Sequence, residues 1–206
     1  MTPNDFTVKF NAPVVTAPLA QAVAPKPTAK AKPLAQEAPP ESDEVLLAAR
    51  EYIKANEGIK NRPYKDTKGF WTVGIGHLMT PEEQKSMIGR TLSDKEVNDI
   101  FVSDLSSKVR MARRELGNAY GKLPTGAKVA ILDGFFRGDM SGSPKALELI
   151  RAGKLTEAAD EYLNNKEYRE SVALNKRGKK HGVAGRMERN AAALRAAASI
   201  SKTLKK

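Results

Sequence analysis

Two carboxyl residues, Glu57 and Asp66, lie nine positions apart in settings that make different demands on an acid. Glu57 comes four residues after Ile53, on the apolar face of a helical stretch and near its C-terminal end. Burial and the negative end of the helix dipole both disfavour a carboxylate there, so Glu57 is expected to keep its proton and to serve as a general acid. Asp66 sits at a turn among polar residues and is expected to stay ionised. Such a pair suits cleavage of a glycosidic bond: one carboxyl protonates the departing oxygen and the other activates water or stabilises the sugar cation. Spacing alone favours the plainer reading, a surface charge at a helix end and a turn-forming aspartate.

The elements that would carry these two residues can be read from local patterns. Ser42 or Asp43 is a candidate N-cap, and Leu46, Ala49 and Ile53 recur on one helical face. Gly58 is placed to stop that helix. A strand-like run at residues 62–65, a turn at Asp66-Thr-Lys-Gly69 and a second strand-like run at 70–77 predict a β-hairpin. Helices follow. Pro81 stands at a first helical position after Thr80, and Ser93-Asp-Lys-Glu96 has the form of a capping box. Pro124 and Pro144 open two more helices, Thr156 is placed to cap another, and an alanine-rich helix covers about Gly185 to Thr203. The fold class is therefore α+β: mostly helical, with a small β-hairpin lobe near the start of the folded part.

Residues 1–43 are expected to be an extended Pro/Ala-rich tail or linker, and residues 44–206 the folded domain. Eight of the 12 prolines fall within residues 1–44, with nine alanines and no glycine. Proline fixes φ and lacks an amide donor, so Pro25-Lys-Pro-Thr-Ala-Lys-Ala-Lys-Pro33 reads as extended chain. Within the tail, Phe6, Val8 and Phe10 alternate with polar residues like a short strand. The formal net charge of +11 calls for an anionic partner: nucleic acid, an anionic membrane surface or an acidic wall polymer. With four basic and five acidic residues in 1–44, that basicity belongs to the folded part.

Cysteine is absent, which excludes a disulfide framework and thiolate metal sites. The two histidines, His77 and His181, lack the spacing of a zinc-binding helix, and Gly74/Gly76 lack the rest of a dinucleotide loop. No cofactor or metal is expected. No apolar run reaches membrane-spanning length, and no secretory signal is visible at the N-terminus.

The run Asn56-Glu-Gly-Ile-Lys-Asn-Arg-Pro-Tyr-Lys-Asp-Thr-Lys-Gly-Phe-Trp-Thr-Val-Gly-Ile-Gly-His-Leu-Met-Thr80 resembles the signature of phage-type (T4-like) lysozymes. That family shows E-G, then Y-x-D, a short turn with glycine, then T-x-G-x-G-H, and each element is present in order. The resemblance covers about residues 44–200. It implies a lysozyme-like fold and cleavage of peptidoglycan, with Glu57 as general acid, Asp66 as the second carboxylate and Thr72 helping to hold the attacking water. It also implies that Asp104, on the long helix after the hairpin, pairs with His77 in a structural role. Gly182-Val-Ala-Gly-Arg186 resembles the family's G-x-x-x-R segment, which makes Arg186 the cation that grips Glu57, through a bidentate contact. Leu78 and Phe136 are candidates to line the sugar cleft. Phe135 competes with Phe136 for that register, and a core aromatic pair is the alternative.

The expected substrate is thus the β-1,4 bond between N-acetylmuramic acid and N-acetylglucosamine in bacterial peptidoglycan. A lytic transglycosylase is a close variant that would not need Asp66 as base. An inactive wall-binding or virion structural protein should lack one of Glu57, Asp66 and Thr72. A nucleic-acid-binding module is suggested only by charge, without a recognisable nucleic-acid motif. Synthesis in a host cytoplasm and action on the wall, virion-associated or holin-released, are the expected setting. Residues 1–40 are the candidate contact to a phage structural protein.

Overall fold

The computed structural model describes residues 41–66, 69–179 and 182–203, with backbone only at 201 and 202. Of the tail read at residues 1–43, residues 1–40 with the strand near Phe6 lie outside the described residues, as does His181, whereas Asp43 is already helical.

The first helix, α1, spans Asp43–Glu57. Ser42 caps it by accepting the Val45 N–H at 3.4 Å, and Asp43 and Glu44 place negative charge in the first turn. Its buried residues are Val45, Ala49 and Ile53, so the apolar stripe starts one position earlier than Leu46, which is only half-buried. Gly58, at φ 71°, ends the helix, and its N–H donates to Lys54 O. Just ahead of the helix, Glu41 accepts from Lys128 Nζ at 3.1 Å and Arg113 Nη2 at 3.4 Å, anchoring the entry of the chain.

The hairpin expected next is a three-stranded antiparallel sheet, ordered β1 (Lys60–Lys65), β2 (Trp71–Gly74) and β3 (His77–Leu78). Tyr64 pairs with Thr72, and Thr72 with Leu78. The β1–β2 register shifts between Lys60 and Tyr64, across Pro63, which has no N–H for the ladder. The run 70–77 is not one strand. Gly74 and Gly76 adopt φ of 66° and 72°, left-handed backbone that a glycine adopts without strain, and they fold the chain back on itself between β2 and β3.

Helix α2 (Pro81–Met87) and helix α3 (Asp94–Leu116) both begin with complete capping boxes, Thr80 with Glu83 and Ser93 with Glu96. At 23 residues α3 is about 35 Å long. Its stripe Val97, Phe101, Leu105, Val109, Ala112 and Leu116 runs along the core. Then come α4 (Asn118–Gly121), α5 (Thr125–Arg137), α6 (Pro144–Arg151), α7 (Leu155–Leu163), α8 (Lys166–Lys176) and α9 (Val183–Thr203). Helix α5 packs against α1, α3 and α9 and is buried from Val129 through Phe135, Asp133 included.

Three sequence expectations shift by position. Pro124 is the N-cap of α5 and not its first helical residue. Thr156 lies inside α7, whose N-cap is Lys154. The last helix starts at Val183, two residues before Gly185. No described helix is long and apolar enough to cross a membrane.

Candidate active site

Glu57 is the last residue of α1 and points at the β2–β3 turn. A Cβ on Gly76 would lie 3.5 Å from Glu57 Oε2 and 3.6 Å from Phe136 Cε1. Those are ordinary contact distances, so it is the backbone at φ 72°, which strains any residue with a Cβ, that favours glycine here. The expected burial of Glu57 is not found. The residue counts as exposed, and its side chain keeps 25% of its accessible surface. What holds it is charge: Arg186 Nη1 donates to Oε1 at 2.6 Å.

The bidentate grip expected on Glu57 goes elsewhere. Arg186 Nε and Nη2 face Asp133 on α5, at 2.9 Å to Oδ2 and 2.6 Å to Oδ1. Asp133 is fully buried and also accepts from Asn190 Nδ2 at 2.8 Å. Asn190 Oδ1 accepts from Tyr52 Oη, on α1, at 3.1 Å. Burial works against the charge of Arg186, but Asp133 first, and Glu57 with it, hold the guanidinium more firmly protonated than usual. The sequence reading missed Asp133, Asn190 and Tyr52. The available signal was an aspartate inside the apolar run Val129–Phe135, since buried acids require partners.

Asp66 follows β1 and closes a turn. Its Oδ1 accepts the Phe70 N–H at 2.8 Å, its own N–H donates to Phe70 O at 2.9 Å, and Gly69 N donates to Asp66 O at 3.0 Å. Thr72, 5% exposed, stands in β2 opposite Tyr64, and its Oγ1 donates to Phe70 O at 3.3 Å. Tyr64 links the two carboxyls electrostatically. Burial first, then the charges of Glu57 and Asp66, hold its phenol above the usual tyrosine range. The sequence reading assigned Tyr64 no role of its own.

Phe135 is 1% exposed and belongs to the core. Phe136 is half-buried, packs on Phe101 at a ring distance of 5.7 Å, and borders Gly76 and Glu57. Leu78 in β3 is 59% exposed beside Thr72.

His77 lies outside this cluster of acids. Its Nδ1 meets Asp104 Oδ2 at 2.9 Å, and its Nε2 meets Glu83 Oε2 at 3.1 Å. Glu83, also part of the α2 capping box, was not foreseen as a second partner. The hydrogen bond to Asp104 is the largest effect; burial opposes it, Glu83 adds to it, and the imidazole is pushed up to about 9. The imidazolium thereby ties β3 to α2 and α3. Among the described residues, no group of three or more His, Asp or Glu side chains is arranged to hold a metal ion.

A mostly helical domain with a small three-stranded sheet, and a carboxyl between α1 and β1 paired with an arginine of α9, fits a lysozyme-like fold. The phage lysozyme family profile matches residues 54–190. Two curated relatives come from Dictyostelium discoideum. The probable T4-type lysozyme 2 is 30% identical over 144 residues, covering 59% of this chain and 85% of the relative. The probable T4-type lysozyme 1 is 29% identical over the same length and shares. The chain belongs to the phage lysozyme family, and membership makes it a peptidoglycan hydrolase of the glycoside hydrolase class.

Proposed function

We propose that the protein is an N-acetylmuramidase that hydrolyses the β-1,4 bond between N-acetylmuramic acid and N-acetylglucosamine. Glu57 donates the proton to the leaving oxygen, Asp66 acts as base toward water, and Thr72 helps to hold that water. Leu78 and Phe136 line the sugar path, and His77 with Asp104 braces the sheet. The observation that carries this reading is the placement of Glu57. Its carboxyl is anchored by Arg186 through one oxygen, while the other lies beside the glycine turn, partly open to solvent. A proton donor needs that combination of fixed direction and access.

The test is Glu57→Gln and Asp66→Asn on purified peptidoglycan, with the reducing ends of the digest identified. Glu57→Gln is expected to lose about a thousandfold in rate with its melting curve preserved, because an amide N–H is far too weak an acid to protonate the leaving oxygen. A hydrolysed muramic acid end is expected. An anhydro end, together with an active Asp66→Asn enzyme, would replace hydrolysis by transglycosylation. A Glu57→Gln enzyme near parental rate would refute the assignment.

The setting belongs to the same proposal. The enzyme is made in a host cytoplasm and reaches the wall of a bacterium either in a phage particle or through a holin. Residues 1–40 dock it to a phage structural protein in the first case, a reading that rests on the Phe6/Val8/Phe10 alternation.

A further inference from the structure

We propose that Tyr52 and Asn190 are positioning residues for the reaction: with Asp133 and Arg186 they close a ring of hydrogen bonds that leaves α1 at Tyr52, returns to it at Glu57 and fixes the direction from which the carboxyl is held. The proposal rests on Glu57 being the proton donor. Tyr52 Oη donates to Asn190 Oδ1, on α9, at 3.1 Å. Asn190 Nδ2 donates to Asp133 Oδ2, on α5, at 2.8 Å. Asp133 accepts from Arg186 Nε at 2.9 Å and from Nη2 at 2.6 Å. Arg186 Nη1 then donates to Glu57 Oε1 at 2.6 Å.

Each member removes the freedom of the next. The guanidinium is planar and its donors form a rigid fork, so two bonds to Asp133 set its plane and thereby the direction of Nη1. Asp133 holds that plane only while its own carboxyl is kept from turning. Its Oδ2, which takes Nε, is also the oxygen that Asn190 reaches. An amide has one donating and one accepting end. With Nδ2 on Asp133, Asn190 turns Oδ1 toward α1, where the Tyr52 hydroxyl supplies the donor. Asp133 is fully buried, Asn190 is 1% and Arg186 7% exposed, so solvent is a poor substitute for any bond lost inside the ring.

Tyr52 acts on Glu57 from a distance. It precedes Glu57 by five residues, about 140° round a helix of 3.6 residues per turn, so the hydroxyl and the carboxyl leave α1 on different sides. What passes between them goes through α9 and α5. The other tie between α1 and α9, Arg189 Nη2 to Asn56 Oδ1 at 2.7 Å, runs beside the ring and not through it. Tyr162 Oη accepts from Asn190 Nδ2 at 3.4 Å, the longer of that nitrogen's two bonds, and donates to Asp139 Oδ1 at 3.0 Å. Direction matters at Glu57 because a misplacement of about 1 Å can cost about a hundredfold in rate.

The experiment measures kcat and KM on purified peptidoglycan for the parent, Tyr52→Phe, Asn190→Leu and the double variant, with melting curves and near-UV circular dichroism on each. Tyr52→Phe keeps the aromatic ring and removes one oxygen, remote from the substrate. It is expected to lower kcat about fivefold with KM unchanged, a part of the cost of a full misplacement. Asn190→Leu should lower kcat further, and Tyr52→Phe should then add nothing, because both act through one chain of bonds. A lower Tm with parental kcat in folded Tyr52→Phe would overturn the proposal and leave the hydroxyl a structural group. Single losses that multiply in the double variant would overturn it too. Should Asn190→Leu not fold, the kcat of Tyr52→Phe decides alone. Glu57→Gln runs alongside: if it stays active, the donor assignment itself falls, whereas an inactive Glu57→Gln beside a Tyr52→Phe enzyme at parental kcat removes only the ring.

Discussion

Replacing His77 by Asn should cost stability in a way that depends on pH, and the direction of that dependence is fixed by the structure. The imidazole bridges Asp104 at 2.9 Å and Glu83 at 3.1 Å with 15% of its side-chain surface exposed. Its folded pKa is raised from 6.5 to about 9. A group raised on folding contributes fully below its unfolded value and loses that contribution as pH climbs through the folded one. The window is therefore about pH 6.5 to 9. A rise of that size corresponds to about 3 kcal/mol at most by the usual conversion. The carboxylates are 26% and 29% exposed, so solvent screening brings the expected effect to about 2 kcal/mol. For a domain of this size that is roughly 4–8 °C in Tm. Thermal melts of the parent and His77→Asn at pH 6 and pH 10 are the assay. The Tm difference should be largest at pH 6 and shrink at pH 10, and the folded variant should still cleave peptidoglycan. A Tm difference that is flat or grows with pH would refute the argument, and a folded but inactive variant would give His77 a part in the chemistry.

Two further outcomes are expected. Gly76→Ala places a residue with a Cβ at φ 72°, 3.5 Å from Glu57 Oε2, and should lower kcat/KM about tenfold; Gly74→Ala, at φ 66° but against Val97, should cost comparable stability in a melting curve and much less activity. Deletion of residues 1–40 should leave glycan cleavage by the purified protein intact and abolish its incorporation into phage particles; packaging of the truncated chain, measured by mass spectrometry of virions, would remove the tether reading.

The local chemistry of this chain was legible because it is written in short-range rules. Ser42, Thr80 and Ser93 cap helices whose starts follow from a side-chain oxygen three residues before a backbone N–H. Gly58 stops α1 for the same kind of reason. Joining Glu57 to Arg186, 129 residues apart, required the family resemblance, since no periodicity reaches that far. Asp133 escaped notice because an acid in the run Val129–Phe135 signals that a partner is needed without saying which, and α9 supplies the guanidinium that donates to it. The three-stranded sheet escaped for a different reason. Residues 70–77 read as one strand by residue type, and the reversal at Gly74 and Gly76 is a property of backbone sign that alternation does not reveal.

The mistaken burial of Glu57 points to how the site is built. The sequence argument sought a proton-holding environment in apolar contacts around α1, as the position after Ile53 suggested. The structure leaves Glu57 partly open and places the buried charge one step behind it, at Asp133 and Arg186. A buried acid directly at a cleft would be shielded from any substrate. An acid whose partner is buried keeps access on one side and is held in a fixed direction from the other. That arrangement also divides the work among elements: α5 and α9 hold the buried charge behind Glu57, while the turn between β2 and β3 brings Gly76 to its front. Since His77 ties that sheet to α2 and α3, its protonation secures the front of the site while the Asp133–Arg186 pair secures the back. The two should therefore fail separately: loss of the first lowers stability as measured by melting at pH 6, and loss of the second lowers the rate of glycan cleavage.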